Sequence, residues 1–216
     1  TAHPPCFGCM SSCGMQVSRR IVGRIVNMRI EQQALSISAA MSGAVFVKGG
    51  AKMIIEECSL TSAAGHCIVV QGLHSYGYVM HNIITNAKGV GVLVCDHGKG
   101  VVEDNVISFS NFAGVAVLNG ADPHVRRNKI HEGMDSGVLI SQRGRGVIEE
   151  NDIFGNLRAG VAILKEGAPL VKRNQIHDGR DSGVLVCEDG KGDVCENDIF
   201  GNQTAGVASA SAAPRA

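Results

Sequence analysis

Two copies of one acidic phrase are the first candidates for chemistry in this sequence. The stretch EENDIFGN at residues 149–156 returns as CENDIFGN at residues 195–202, and in the first copy Glu149 and Glu150 form a carboxylate pair beside an asparagine. A glycosidase uses two carboxyl groups, of which one has a raised pKa and protonates the leaving oxygen. The phrase must therefore be tested as a catalytic site.

Histidines and cysteines are the other side chains that could act as bases, nucleophiles or metal ligands. His131 and His177 recur in the related phrases NKIHEG and NQIHDG, and neither has a Ser or Cys nucleophile beside it. We expect both to be turn residues with an exposed imidazole. Cys6, Cys9 and Cys13 cluster in CFGCMSSC, but no second Cys or His pair follows at the spacing of a zinc site. We therefore predict no metal and no cofactor.

The composition excludes several classes of partner. Lys plus Arg equals Asp plus Glu at 20 each, so no net field attracts nucleic acid or an anionic membrane. No run of apolar residues is long enough to span a bilayer. The chain has no Trp and two Tyr, so no aromatic stripe for sugar rings is visible. The remaining cysteines are scattered like small core residues of a reducing compartment, which favours an intracellular location.

A repeat of 23 residues positions all of these side chains. It runs without gaps from about residue 89 onward, and each unit contains one asparagine at the same place. We predict that these asparagines lie at a bend, where the left-handed conformation is tolerated, and bond from unit to unit as a structural ladder. The ladder residues are Asn105, Asn128, Asn151, Asn174 and Asn197.

Repeat units of this length, with short strands and no helical stretch, predict a single-stranded right-handed parallel β-helix of roughly seven or eight coils. Within a coil, Val138 and Ile140 should face the core while Leu139 faces out. The predicted domains are an irregular start or cap (1–40), the β-helix (41–207) and a disordered tail (208–216). The last coil has no capping helix after it, so self-association through open coil ends is expected.

The repeat also has a longer period of two units. Units with GKG or GRG and an acidic pair alternate with units that contain Pro123 or Pro169 and a basic pair. Stacking would place Glu149 and Glu150 between basic pairs above and below, which would lower the carboxyl pKa values. We therefore predict that these charges control register and that the phrase contains no catalytic residue.

One outward-facing strip is unusually apolar. On the Gly-Val-x-[Val/Ile] strand of five successive units, the outward positions are nearly all apolar, which usually marks a contact surface. The predicted partner-binding residues are Leu93, Leu118, Leu139, Leu164 and Leu185.

The alternation of units resembles a known family. The phrases GVIEENDIFGN, AGVAILKEGAPLVKRNQIHDGRDSGVLV and GHCIVV are similar to the β-helix region of the F-box only protein 11 and 10 group, over about residues 43–207. That resemblance implies recognition of substrate proteins for a cullin-based ubiquitin ligase. Individual units also resemble the broader carbohydrate-binding and sugar-hydrolase repeats of pectin-lyase-like proteins.

Two functions follow as hypotheses. The first is a non-enzymatic protein-interaction scaffold that binds a protein partner through the apolar strip. The alternative is a polysaccharide-acting enzyme, namely a lyase, hydrolase or epimerase. An enzyme should show an unpaired acidic cluster in a groove or activity on uronate polymers, whereas a scaffold should lose a protein partner when its outward leucines are changed.

Overall fold

The structure is a computed structural model that describes residues 15–17, 22–33 and 42–210. Within these ranges every helix or strand is a β-strand, and none of the described residues forms a helix that could cross a membrane. Strands are numbered in chain order, and every third strand belongs to the same sheet.

The first sheet contains nine strands: β1 (Met15–Val17), β4 (Gly43–Lys48), β7 (His66–Gln71), β10 (Val92–Cys95), β13 (Val115–Val117), β16 (Val138–Ile140), β19 (Val161–Ile163), β22 (Val184–Cys187) and β25 (Val207–Ala210). The second sheet contains eight: β2 (Val22–Val26), β5 (Lys52–Glu56), β8 (Tyr76–Met80), β11 (Lys99–Glu103), β14 (Asp122–Arg126), β17 (Val147–Glu149), β20 (Leu170–Lys172) and β23 (Asp193–Cys195). The third sheet also contains eight: β3 (Arg29–Gln32), β6 (Ser59–Ser62), β9 (Ile83–Ala87), β12 (Val106–Ser108), β15 (Lys129–His131), β18 (Asp152–Phe154), β21 (Gln175–His177) and β24 (Asp198–Phe200).

Each coil gives one strand to each sheet, and every pairing is parallel. Val115 pairs with Val138 in the first sheet, and Ile130 pairs with Ile153 in the third, so equivalent positions of successive repeats lie side by side. The predicted right-handed parallel β-helix of about 23 residues per coil is confirmed.

Aliphatic columns fill the inside of the coils. Val138 and Ile140 are fully buried and Leu139 faces outward, as predicted. In the isoleucine column of the third sheet, Ile84, Ile107, Ile130, Ile153 and Ile176 are at most 1% exposed, and Ile199 on the last coil is partly buried. One coil alone could not bury this surface, so the fold is stabilised by stacking of neighbours.

The asparagine column is a buried ladder. The Asn151 side chain donates to the carbonyl oxygen of Val125 at 3.0 Å and to Oδ1 of Asn174 at 2.9 Å. Its own Oδ1 accepts from the backbone and side-chain amides of Asn128, both at 3.0 Å. The same contacts connect all five predicted ladder residues, and Asn82 extends the ladder by one coil.

The left-handed conformation lies one residue before the predicted place. Arg127 and Glu150 have φ of 51° and 57°, whereas the asparagines that follow them do not have positive φ. The asparagine amide is fully engaged by the ladder, so the preceding, more exposed residue makes the bend. This corrects the expectation that asparagine itself takes the left-handed turn.

The stack extends past the predicted domain boundaries. Strands β1, β2 and β3 pair in register with β4, β5 and β6, so regular coils begin before residue 41. At the other end, β25 continues to Ala210 and pairs with β22. Cys6, Cys9, Cys13 and the last six residues of the predicted tail lie outside the described residues.

We expect Asn151→Ala to lower the free energy of unfolding by about 3 kcal/mol, because it removes four buried side-chain hydrogen bonds and leaves their partners unsatisfied. Urea denaturation followed by circular dichroism measures the change. Asn111→Ala is the control, since Asn111 is exposed and its side chain makes no hydrogen bond within the described residues. Equal destabilisation by the two variants would contradict a stabilising ladder.

Candidate functional site

The outer surface of the second sheet gathers the side chains best suited to chemistry. In β14, alternation points Asp122, His124 and Arg126 outward, while Pro123 and Val125 are buried. Neighbouring coils add to the same outward columns, because β8, β11, β14 and the segment entering β17 are in register. We call the resulting surface the site face, and it consists of Tyr76, Tyr78, Lys99, Asp122, His124, Arg145 and Glu149.

His124 is held by a carboxylate on the next coil. Its Nε2 lies 2.7 Å from Oε1 of Glu149, and the two side chains are 33% and 11% exposed. A carboxylate partner on Nε2 fixes the tautomer with the proton on that nitrogen. Nδ1 then carries a lone pair and has no partner among the described residues, so His124 is arranged as a general base.

Glu149 is ionised although it is buried. Burial of its carboxyl acts to raise the pKa, but hydrogen bonds from His124 and Lys172 and the charges of both outweigh burial and hold the pKa below its usual value. The Lys172 Nζ is 3.2 Å from Oε2, and Arg173 approaches the same oxygen at 2.5 Å. The acid is therefore an anchor for His124 and is poorly suited to donate a proton itself.

Cations and a groove lie beside the start of β14, at Asp122, two residues before His124. Lys99 Nζ lies 3.2 Å from the Asp122 carboxylate. Arg145 is exposed and makes no ion pair with any of the described residues. Beside Arg145 is a groove of about 630 Å³ between the turns that lead from the first sheet into the second, with polar and basic lining residues. They are His97, Asn119, Gly120, Gln142, Arg143, Arg145, Lys165 and Glu166.

Two tyrosines of the site face lie on an earlier coil, in β8. The rings of Tyr76 and Tyr78 are 4.6 Å apart between centroids, and Tyr78 is 36% exposed. Tyr78 shares the outward column of His124, with Val101 between them. The two side chains therefore start about 9.6 Å apart, or two strand spacings, across an apolar floor.

The two-coil period of the sequence has a steric cause where the chain enters the second sheet. Gly146, with φ of 111°, lies against Pro123 of the previous coil, and a Cβ there would collide with the proline carbonyl oxygen. Gly192 and Pro169 repeat the arrangement. The GRG turn at 144–146 and the GKG turn at 190–192 therefore fit over a proline-containing coil, which places Arg145 and Lys191 before the affected glycines, whereas Gly100 of the GKG turn at 98–100 lies over Gly77.

The sequence candidates His131 and His177 lie elsewhere, on the third sheet. They alternate with Phe154 and Phe200 in a column of parallel rings with centroids 4.7–5.2 Å apart. Their side chains are only 16% and 17% exposed, so the expected exposed imidazoles are wrong. Burial opposes protonation of His177, but Asp178 and Asp152, both at 2.9 Å, raise its pKa. Phenylalanines stack on both ring faces of His177 and on one face of His131, and we assign no reaction to this column.

The predicted partner-binding leucines face outward from the first sheet but are not widely exposed. Leu93 is 4% exposed and packs in a second buried cluster with Val69, Ala113 and Ala116. Leu118, Leu139, Leu164 and Leu185 are half-buried. Neighbouring side chains thus shield part of this strip, and binding of a partner there stays a prediction.

Sequence reasoning missed the site face. A signal was present, because the outward column contains Tyr78, Val101, His124, Val147 and Leu170 at equivalent places, so a histidine interrupts apolar residues. The contact between His124 and Glu149 could not be predicted from the sequence, because the acidic pair was expected to contact only Arg and Lys side chains on the coils above and below.

The sequence matches the family described as the right-handed β-helix region over residues 10–130 and 74–214. This chain belongs to the right-handed β-helix family. The match does not extend to the finer resemblance to the F-box only protein 11 and 10 group.

Solved structures with a similar fold include alginate epimerases. A double mutant of the periplasmic alginate epimerase AlgG superposes with a TM-score of 0.68 at 16% identity, over 89% of this chain and 58% of that one. The A-module of mannuronan C-5 epimerase AlgE6 from Azotobacter vinelandii gives 0.57 at 16% identity, over 93% and 80%. This β-helix chain thus spans less than two thirds of AlgG, and at this identity the likeness shows the fold.

The comparison overturns one expectation. We expected a chain that is not an enzyme, and the structural neighbours are polysaccharide-modifying enzymes instead. Glu149 is unsuited to donate a proton, as expected from its basic neighbours, but it also anchors His124, which the expectation did not include.

Glu149 should make stability depend on pH. Its folded pKa lies below the usual 4.5, so its stabilisation is complete above that pH and is lost as the pH falls through the folded pKa. We expect Glu149→Gln to flatten the decline in urea midpoint between neutral and acidic pH. Glu196→Gln, at a side chain that is 68% exposed, is the matched control. An unchanged decline in Glu149→Gln would show that the ion network does not stabilise the fold.

Proposed function

We propose that this chain binds an acidic polysaccharide on the site face and epimerises its uronate units at C5, with His124 as the base. The observation that carries the proposal is the His124–Glu149 pair, in which the His124 Nδ1 has no hydrogen-bond partner among the described residues. The site face places cations and tyrosines in the same outward columns. The names of the structural neighbours, alginate epimerase and mannuronan C-5 epimerase, support the same reaction class.

Epimerisation at C5 begins with removal of a weakly acidic proton. The carbon lies next to the sugar carboxylate, so the electron pair left behind spreads onto the carboxylate oxygens. A cation that contacts these oxygens stabilises the developing charge. Lys99 and Arg145 border His124 on the outward surface and are suited to this role. Glu149 in turn stabilises the imidazolium that forms when His124 takes the proton.

Inversion requires a proton from the opposite side of the ring. Tyr78 lies in the column of His124 two strands away, with room for one sugar ring over Val101. The Tyr78 hydroxyl would donate its proton to C5 from the face away from His124, and the imidazolium would return a proton through solvent to the phenolate. One C–H bond breaks and one forms, so the reaction is an isomerisation without oxidant or reductant.

The test uses mannuronan in D₂O. The wild-type chain should incorporate deuterium at C5 and produce the epimer, both visible by NMR. We expect His124→Gln to reduce exchange at least about 100-fold, the usual contribution of a general base. Tyr78→Phe should slow formation of the epimer more than removal of the original C5 proton. The variant keeps the base, His124, and lacks only the hydroxyl that donates the new proton.

His81→Gln is the control histidine variant, because His81 is exposed at the turn between the second and third sheets and lies outside the site face. It should retain exchange and product formation. Wild-type protein that exchanges no deuterium into mannuronan or other polyuronates would refute the proposal, as would full activity of His124→Gln.

A further inference from the structure

The outward face of the first sheet alternates large and small side chains in two directions. In the first outward column, leucine and alanine alternate from coil to coil, so that Leu139 pairs with Ala116 on one side and with Ala162 on the other. The second outward column lies two residues further along each coil and alternates in the opposite phase. Each coil therefore presents one leucine and one smaller residue. The pairs are Leu93 and Cys95, Ala116 and Leu118, Leu139 and Ser141, Ala162 and Leu164, and Leu185 and Cys187.

The smaller residues lie in depressions between leucines. Ala162 is 3% exposed because Leu139 and Leu185 flank it in the same column, and Ser141 in the second column is 6% exposed. The flanking leucines are half-buried, so their outer ends are the raised parts of the face. Leucines of one column recur on every second coil, at intervals of about 9.6 Å. The face is thus a regular pattern of apolar projections and depressions.

A second copy of this face is complementary to the first when a two-fold axis runs parallel to the helix axis. Such an axis keeps equivalent coils at the same height and reverses the strand direction, so the first column of one copy lies opposite the second column of the other. Leu139 then lies opposite Ser141 of the second copy, and Leu164 lies opposite Ala162 of the second copy. Each contact occurs twice, as in every isologous interface. A two-fold axis perpendicular to the helix axis would place each column opposite itself, and it would not require the two columns to alternate in opposite phase.

Charges at the two edges of the first sheet favour the same axis. This axis brings the turn before a strand opposite the turn after the same strand in the second copy. Arg180 lies before β22 and Asp189 lies after it, and both are exposed and form no ion pair with the described part of the chain. Across the axis they lie opposite each other, so each gains a partner of opposite charge. The same relation holds on the two preceding coils for Arg158 with Glu166 and for Asp135 with Arg143.

We propose that two copies of this chain form a parallel dimer through the outward face of the first sheet. The interface extends from β13 to β25, which is five strands or about 24 Å along the axis, and about 20 Å from turn to turn. This size is at the lower end of specific interfaces, so we expect a dissociation constant on the order of 10 µM. The site face belongs to the second sheet and lies outside the interface, so the dimer is independent of the proposed reaction.

The first experiment measures the oligomeric state by sedimentation velocity between about 1 and about 300 µM, a range that brackets this dissociation constant. The wild-type chain should pass from monomer to dimer. Leu139→Glu with Leu164→Glu should remain a monomer, because it places four carboxylates in the apolar interface. Leu170→Glu is the matched control, since Leu170 is a half-buried outward leucine of the second sheet, and it should still dimerise. A monomeric wild-type chain, or a dimer that persists in the double variant, would overturn the proposal.

A cross-link tests the axis without disruption of the interface. Leu185→Cys would lie opposite the native Cys187 of the second copy, and oxidised glutathione should join the two copies by disulfides. Within one chain these positions are two strand residues or about 6.6 Å apart, too far for a disulfide. Burial raises the pKa of the Cys187 thiol, so oxidation is carried out at alkaline pH.

Leu164→Cys is the matched control, because Ala162 lies opposite it and no link to Cys187 should form. Leu118→Cys should behave in the same way, whereas under a perpendicular axis it would lie opposite Cys187. Non-reducing electrophoresis and mass spectrometry of the linked peptides identify the disulfides. Absence of the link from position 185 to Cys187, or a link from Leu118→Cys to Cys187, would contradict the parallel dimer.

Reversal of one edge charge tests which residues face each other. Arg180→Glu should weaken dimerisation about tenfold, because each dimer then contains two like-charge contacts with Asp189. Addition of Asp189→Lys should restore the wild-type dissociation constant to within about twofold, since it recreates both pairs with the signs exchanged. Equal weakening by the single and double variants would show that these residues do not face each other and would overturn the proposed register.

Discussion

Stacking of one coil on the next is the interaction on which the rest of this structure depends. A coil of about 23 residues cannot enclose a core, and its aliphatic side chains become fully buried only between two equivalent coils. The asparagine ladder also requires stacking in register, because each side-chain amide donates a hydrogen bond to the asparagine of the next coil. A slip by one residue would leave both columns unsatisfied.

Because the coils are in register, equivalent outward side chains form columns, and the candidate site residues differ from the other members of their columns. His124 replaces an aliphatic residue in one column, and Tyr78 does so two coils earlier. Neither change disturbs the core, since outward positions of a strand are separate from inward ones. Such a fold supports new chemistry on its faces without loss of stacking.

The charged columns beside the asparagines serve the fold and the site together. Glu103 is held by Arg126, in a pair that joins two coils. The equivalent acid two coils later, Glu149, is held by Lys172 and also fixes the tautomer of His124. The structural ion ladder and the candidate base therefore share one carboxylate, which ties orientation of the imidazole to the register of the stack.

The sequence by itself determined the fold, the coil length, the inward residues and the members of the asparagine ladder, because all of these follow from a period of 23 residues that any self-comparison reveals. It did not determine the bend, which lies at residues such as Glu150 because the asparagine amide is already engaged. Only the tertiary structure decided that His124 meets Glu149, that His131 and His177 are stacked against phenylalanines, and that Leu93 is shielded. These contacts depend on side-chain reach across neighbouring coils, and a one-dimensional period contains no information about it.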